Sequence, residues 1–228
     1  MTSNFDHRHI RRAFSRSAAS YDAAAALQRE VSTRLLESLE YLGERTPQVV
    51  LDVGSGPAHA TAAMRKRWPR AQVIALDLAL PMLREAKKQS GWWKPFSRVC
   101  ADARALPLAD GSVDVIFSNL CLQWVEDLPA VFAGFRRVLK PGGRALVLEF
   151  SRVGPAPLRQ LYDLYSFSVL PRIGAAVAGD EASYRYLAES IRKHPDQATL
   201  EAMMQAAGFE RTSHRNLSGG IVAIHSGY

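Results

Sequence analysis

Three acids and two glycines stand where a bound molecule would need them. The stretch "LDVGSGPAHA" (51–60) sets Asp52 just ahead of Gly54 and Gly56. Apolar residues and an acid run into glycines, as in a strand that ends in a glycine loop and opens a helix. Such a loop can hold a dinucleotide, a phosphate or a ligand without phosphate. The dinucleotide fingerprint needs a third glycine where this chain has His59, and the phosphate loop needs a Lys before Ser or Thr, which is missing. An acid beside a polyphosphate is repulsive, and beside a cation it is favourable. The spacing therefore points to a ligand with positive charge at this loop.

The next two acids extend the same site. Asp77 ends the apolar run "VIALD", where a carboxylate can accept both hydroxyls of a ribose. Asp102 follows a third run, in "CADA", placed to take an adenine amino group beside Ala103. A ribose, an adenine and a cationic amino-acid tail together describe S-adenosylmethionine.

These residues need a sheet to position them. "QVVLDVG", "AQVIALDL", "FSRVCAD", "VDVIFSN" and "RALVLEFS" read as five strands, and "HATAAMRKRW", "PMLREAKKQ" and "LPAVFAGFRRVL" as helices between them. "KPGG" reads as the stop of the third helix. Strands alternating with helices predict a parallel sheet covered on both faces, with ligands at the carboxyl ends of its strands. Two helical patterns precede it, one carrying Ile10, Phe14 and Tyr21, the other Leu27, Val31, Leu35, Leu39 and Leu42. After Phe150 the chain is rich in aromatics and broken by proline and glycine. There Leu161, Tyr162, Leu164, Tyr165, Phe167, Val169 and Leu170 suggest an apolar lid. "SYRYLAESI" and "PDQATLEAMMQAAGF" are helical, and the last residues read as two strands around Ser218-Gly219-Gly220. The expected organisation is one domain over 1–228: a helical cover (1–45), a cofactor-binding half (46–150), a lid-like insertion (151–197), and a closing helix and hairpin (198–228).

Composition narrows the class. The chain has 228 residues, is 47% apolar and carries a formal charge of +7. No apolar run is long enough for a membrane helix, and the start shows no signal peptide. Cys100 and Cys121 lack metal or redox spacing, so no metal site is expected. They are read as buried reduced thiols in a cytoplasmic protein. The basic residues are scattered without interleaved aromatics, which suits solvated helix faces or an acidic partner better than nucleic acid.

"VVLDVGSGPA", "VIALDLALPML", "CADARALPLADGSVDVIFSNLCLQW" and "RVLKPGGRALVLEF" resemble, in order, the motifs of class I S-adenosylmethionine-dependent methyltransferases. The resemblance implies a Rossmann-like α/β fold: a seven-stranded, mostly parallel sheet with a C-terminal antiparallel hairpin and an N-terminal helical cover. It implies that Gly54, Gly56, Asp77, Asp102, Ala103, Ser118 and Asn119 line the cofactor site, together with Asp52 and the neighbouring Leu78. Tyr21, in the cover, is the candidate to hydrogen-bond the acceptor.

Two subfamilies share the chain. From about Phe5 to Gly143, "HIRRAFSRSAASYDAAAALQREV" and "SNLCLQWVEDLPAVFAGFRRVLKPGG" resemble the malonyl-[acyl-carrier protein] O-methyltransferases. From Arg144 onward, "LYDLYSFSVLPRIG", "SYRYLAESIRKHPD" and "GGIVAIHSGY" resemble the ubiquinone/menaquinone biosynthesis C-methyltransferases. The quinone family's F-G-L-R-N stretch is replaced by "SNLCLQW". The segment that holds the malonyl carboxylate in the other family is of quinone type here. The acceptor is thus a small molecule or a group linked to acyl-carrier protein, with oligomeric state open. Coverage of the cofactor site, the cover and the loop after strand four tips the reading narrowly to the malonyl carboxylate. A quinol ring follows closely, and a mosaic that binds cofactor without an efficient acceptor is third. A nucleic-acid methyltransferase lacks its N-P-P-Y-type motif, and an oxidoreductase lacks the third glycine.

Overall fold

The computed structural model describes residues 36, 46–91, 93, 95–154, 156–169, 172 and 181–228. The expected helical cover, Tyr21 included, lies outside them apart from Leu36, which is helical and packs on the core. Leu170 of the expected lid also lies outside them.

Seven strands form one sheet in the order β3-β2-β1-β4-β5-β7-β6. In chain order they are β1 (Val49–Val53), β2 (Gln72–Asp77), β3 (Ser97–Cys100), β4 (Val113–Asn119), β5 (Leu139–Phe150), β6 (Ser213–Leu217) and β7 (Val222–Gly227). The first five run parallel, and β7 pairs antiparallel with both β5 and β6. The chain moves outward from β1 to β3, then returns to place β4 on the other side of β1. That reversal opens a crevice at the carboxyl ends of β1 and β4, where sheets of this kind bind ligands.

Side-chain alternation explains why the strands read as unbroken apolar runs. Val50, Val73, Ala75, Val115 and Phe117 face one layer, while Leu51, Val53, Ile74, Leu76 and Ile116 face the other. Both layers are covered, so both parities must be apolar. The helix α1 (His59–Arg67) packs Met64 into the first layer, and α2 (Leu80–Ala86) adds Leu83 and Ala86. The second layer takes Val131, Phe132 and Phe135 of α3 (Leu128–Val138), whose start is capped by the Asp127 carboxylate accepting from Ala130 N–H at 3.0 Å. Beyond β5, α4 (Ala156–Leu164) runs into a π-helical turn at Tyr165–Val169, followed by α5 (Glu181–Lys193) and α6 (Gln197–Ala206).

Three readings change. The fifth strand begins at Leu139 rather than after "KPGG": Leu139 pairs with Val113, pairing resumes at Arg144 with Val115, and residues 140–143 bulge out of the ladder. Gly142, at φ 73°, makes that excursion possible. Cys100 is exposed rather than buried, because β3 is an edge strand. Leu164 and Tyr165, expected in a lid, are 60% and 43% exposed and so face solvent. Among the described residues no helix is long and apolar enough to cross a membrane, and no group of His, Cys, Asp or Glu could hold a metal ion.

Phe135 is fully buried against the sheet and edge-on to Phe132, with ring centroids 6.1 Å apart. Phe135→Ala should lower stability by about 3–5 kcal/mol, read as a shift in the urea midpoint with an unchanged slope.

Candidate functional site

The glycine loop is pinned over the end of β2. The N–H groups of Gly54 and Ser55 both donate to the Leu76 carbonyl, at 2.8 and 3.0 Å. Gly54 and Gly56 adopt φ of 71° and 51°, the left-handed region that favours glycine. A side chain at Gly54 would fall on the sulfur of Cys121, while the space beside Gly56 is open.

Asp77 organises the loop from β2. One oxygen accepts from Gly56 N–H and the other from Ala79 N–H, each at 2.8 Å. Each oxygen keeps a further lone pair for a hydroxyl donor. Burial raises the Asp77 pKa, against the pull of those two amides. Leu78 follows, half-buried, at the turn into α2. Asp102 is already gripped by Arg104, whose Nε lies 3.0 and 3.2 Å from the two oxygens and whose Nη2 lies 2.7 Å from one of them. An adenine amino group there would share the carboxylate with a guanidinium. Ala103 is buried beside it.

Asp52 sits beneath the loop rather than in its mouth. It is buried at 2% exposure and accepts from the Thr61 hydroxyl of α1 at 2.5 Å. Burial pushes its pKa up to about 7, with a contribution from Asp77 and against the Thr61 hydrogen bond. Burial thus favours the protonated form of Asp52 well above the usual carboxylate range.

At the end of β4, Ser118 is fully buried and Asn119 half-buried. Leu120 takes a left-handed conformation at φ 51°, and residues Leu122–Trp124 form a 3₁₀ turn. The turn places Trp124 flat against Tyr186 of α5, with ring centroids 5.8 Å apart and planes 21° from parallel. Glu149, fully buried near the end of β5, holds this loop. One of its oxygens accepts from Cys121 N–H at 2.8 Å and from Leu122 N–H at 2.6 Å. Burial pushes its pKa up to about 8 despite the backbone donors. The Cys121 thiol is pushed well above its usual range by burial, then by Glu149, Asp77, Asp52 and Asp102 in that order. All four carboxyl groups thus act on the one thiol that packs against Gly54.

The polar atoms left over suit a polar ligand. Ser55 Oγ, Ser118 Oγ, Asn119 Oδ1, Gln123 Oε1 and Glu149 Oε2 are buried and have no hydrogen-bond partner among the described residues. Orphans of this kind are rare in folded proteins and call for an explanation. Their placement at the carboxyl ends of β1, β4 and β5, with the open cradle at Gly56 and the surrounding negative charge, fits a cationic nucleoside-amino acid.

The sequence-derived cofactor residues lie at or just past the carboxyl ends of β1 to β4, with Asp52 beneath the glycine loop. His59 opens α1, while His194 and His225 are buried near the β7 side. Burial, then His225, holds the His194 pKa down to about 4. Sequence reading missed Thr61, Gln123, Trp124 with Tyr186, and Glu149. Glu149 carried a signal: a lone acid inside the apolar run "RALVLEFS", in a strand covered on both faces.

A model of the ubiE/COQ5 methyltransferase family matches residues 2–228. The chain belongs to that family. It is an S-adenosylmethionine-dependent methyltransferase, as its motifs imply. It is 57% identical over 184 residues to a malonyl-[acyl-carrier protein] O-methyltransferase of Xylella fastidiosa, covering 78% of this chain and 62% of the relative. The chain thus spans less than two thirds of that relative's length. It is 45% identical over 225 residues to the ubiquinone/menaquinone biosynthesis C-methyltransferase UbiE of Vibrio vulnificus, covering 96% of this chain and 86% of the relative. The fold is shared with an S-adenosylmethionine-dependent methyltransferase from Thermotoga maritima, at a TM-score of 0.65 and 18% identity over 94% of this chain and 96% of that one.

Two outcomes follow from the geometry. Gly54→Ala forces a methyl group onto Cys121 in a left-handed backbone, so calorimetric titration with S-adenosylhomocysteine should show binding weakened by about 100-fold or lost. Stability of the ligand-free protein should fall as pH rises from 6.5 to 8. In that window the unfolded chain has both carboxylates ionised, while the folded state keeps Glu149 largely and Asp52 partly protonated up to about 8 and 7. The folded state binds more protons through these two groups, while buried His194 and His225, held neutral, oppose them near pH 6.5; the net slope is negative, about 1 kcal/mol per pH unit, and Asp52→Asn should flatten it in urea titrations across that range.

Proposed function

We propose that the protein methylates the ring carbon of a quinol, with S-adenosylmethionine as donor. In this reading Asp77 takes the ribose hydroxyls, and Asp102 with Ala103 takes the adenine. Gly54, Gly56, Ser118 and Asn119 surround the amino-acid tail, and Leu78 borders the ribose. Asp52 acts from below, holding α1 through Thr61 and lending partial negative charge to the loop.

The Trp124–Tyr186 stack carries the choice of acceptor: it sets a flat apolar surface on the loop after β4, suited to a flat ring. The carboxyl groups around Cys121 favour a cationic sulfonium but do not choose between acceptors, since a malonyl carboxylate and the phenolate of a reacting quinol carry the same charge. The extent of the match to UbiE, along nearly the whole chain, agrees with this reading.

The bound donor supplies an already activated methyl group. The protein's part is to align the acceptor carbon for in-line displacement and to exclude water. A ring carbon becomes nucleophilic only when a neighbouring hydroxyl loses its proton, which calls for a group that ionises near neutral pH. Tyr21, from the cover, is proposed to hydrogen-bond that hydroxyl. Two free thiols fit the reducing cytoplasm as the site of the reaction.

The second reading, the malonyl carboxylate of an acyl-carrier protein, is favoured by the 57% identity to the Xylella relative. The basic chain, at +7, would suit an acidic carrier. One assay separates the two. Purified protein with methyl-labelled S-adenosylmethionine is offered a demethylated quinol or malonyl-acyl-carrier protein. Label on the quinol carbon is expected, and Tyr21→Phe should lower that rate by about 10-fold or more. Label on the malonyl carboxylate alone would replace the quinol, and label on neither would leave a cofactor-binding protein.

A further inference from the structure

We propose that Glu149 is a positioning residue for methyl transfer: it fixes the loop 120–124, and through it the acceptor-facing Trp124, from beneath the site. The proposal rests on the methyltransferase reading and on neither acceptor.

The geometry is specific. Leu120 N–H is held by the Leu148 carbonyl at 2.8 Å, and its left-handed φ turns the next two amides toward the same side. A branched residue keeps that conformation only when its surroundings enforce it. The enforcing group is the Glu149 carboxyl, whose one oxygen accepts from both Cys121 and Leu122. The 3₁₀ turn then closes with Trp124 N–H on the Cys121 carbonyl at 3.2 Å and Val125 N–H on the Leu122 carbonyl at 2.9 Å. Trp124 emerges from this turn to stack on Tyr186. The other oxygen of Glu149 has no hydrogen-bond partner among the described residues, so what the carboxyl holds among them is this loop.

The clamp should act on the acceptor more than on the cofactor. The glycine loop has its own anchors, with Gly54 and Ser55 tied to Leu76 and Gly56 tied to Asp77. Loss of Glu149 leaves those backbone hydrogen bonds in place and reaches the glycine loop only through the Cys121 sulfur packed on Gly54. It releases Cys121 from its amide anchor, and with it the turn that carries Trp124.

The test uses the full chain with Glu149→Ala and Glu149→Gln. Four quantities are measured: S-adenosylhomocysteine affinity by calorimetry, kcat and KM for the acceptor turned over, their pH profile, and the alkylation rate of Cys121 against exposed Cys100 as internal reference. For Glu149→Ala, acceptor kcat/KM should fall by about 10-fold or more while S-adenosylhomocysteine affinity changes by less than about 3-fold, and Cys121 should alkylate faster relative to Cys100. Glu149→Gln should recover most of the activity, because its carbonyl oxygen still accepts both amides. In the native protein the clamp tightens as Glu149 ionises, so acceptor KM should fall between pH 7 and 9, and Glu149→Gln should lose that trend. If Glu149→Ala does not fold, the pH profile of Glu149→Gln decides. If neither acceptor is turned over, the Cys121 alkylation ratio and S-adenosylhomocysteine affinity decide. An unchanged kcat/KM in Glu149→Ala, a loss of cofactor affinity in step with it, a pH trend that survives in Glu149→Gln, or Cys121 shielding that survives in Glu149→Ala would overturn the proposal.

Discussion

The sulfur of Cys121 rests where a side chain on residue 54 would be, and the rest of the site depends on that contact. It brings the loop after β1 against the loop after β4 at the point where the sheet reverses direction. Only a glycine at 54 satisfies both the left-handed backbone and the missing volume. With it in place, one wall of the crevice is the glycine loop, held from β2 through Leu76 and Asp77. The other wall is the turn that carries Trp124, held from β5 by Glu149. Four neighbouring strands, β2, β1, β4 and β5, each supply one fixed element, so the geometry rests on the rigid sheet rather than on loop flexibility.

That arrangement concentrates negative charge in a poorly solvated place. Burial makes Asp52, Asp77 and Glu149 harder to ionise, and Asp77 adds to the effect on Asp52. The protein tolerates this in two ways. Asp77 and Glu149 accept backbone N–H groups, and Asp102 is shared with Arg104. Asp52 and Glu149 keep a proton through part of the neutral range. A cationic ligand relieves the remaining strain by favouring the ionised forms. Burial, with the same field behind it, raises the Cys121 thiol well above its usual range and so disfavours the thiolate, the nucleophilic form of cysteine.

Much of this was legible in the chain. The strands could be read because both faces of the sheet are covered, so runs such as "QVVLDVG" and "VDVIFSN" lack polar interruptions. Asp77 and Asp102 could be read because each ends such a run at a carboxyl edge. Asp52 could be placed but not oriented: its pairing with Thr61 depends on how α1 leans on β1, which no local spacing encodes. "KPGG" looked like a helix stop, and its glycines do break the ladder. Only the Val113–Leu139 pair shows that the strand has already begun. Glu149 and the Trp124–Tyr186 stack are tertiary facts, joining residues far apart in sequence.

The two resemblances meet near Gly143, and the structure gives that boundary a physical meaning. It falls in the bulge at 140–143, outside the regular ladder. Beyond it, β5 joins β4 through backbone hydrogen bonds that do not depend on side-chain identity. A change of sequence character there is therefore cheap for the sheet. The contacts that do depend on identity lie further along. Glu149 comes from the second segment and holds amides of the first, while Tyr186 of the second stacks on Trp124 of the first. A chain with two unrelated segments would have no reason to satisfy both. Their presence together argues that the loop after β4 and the helix carrying Tyr186 are fitted to each other, whichever family each segment resembles more.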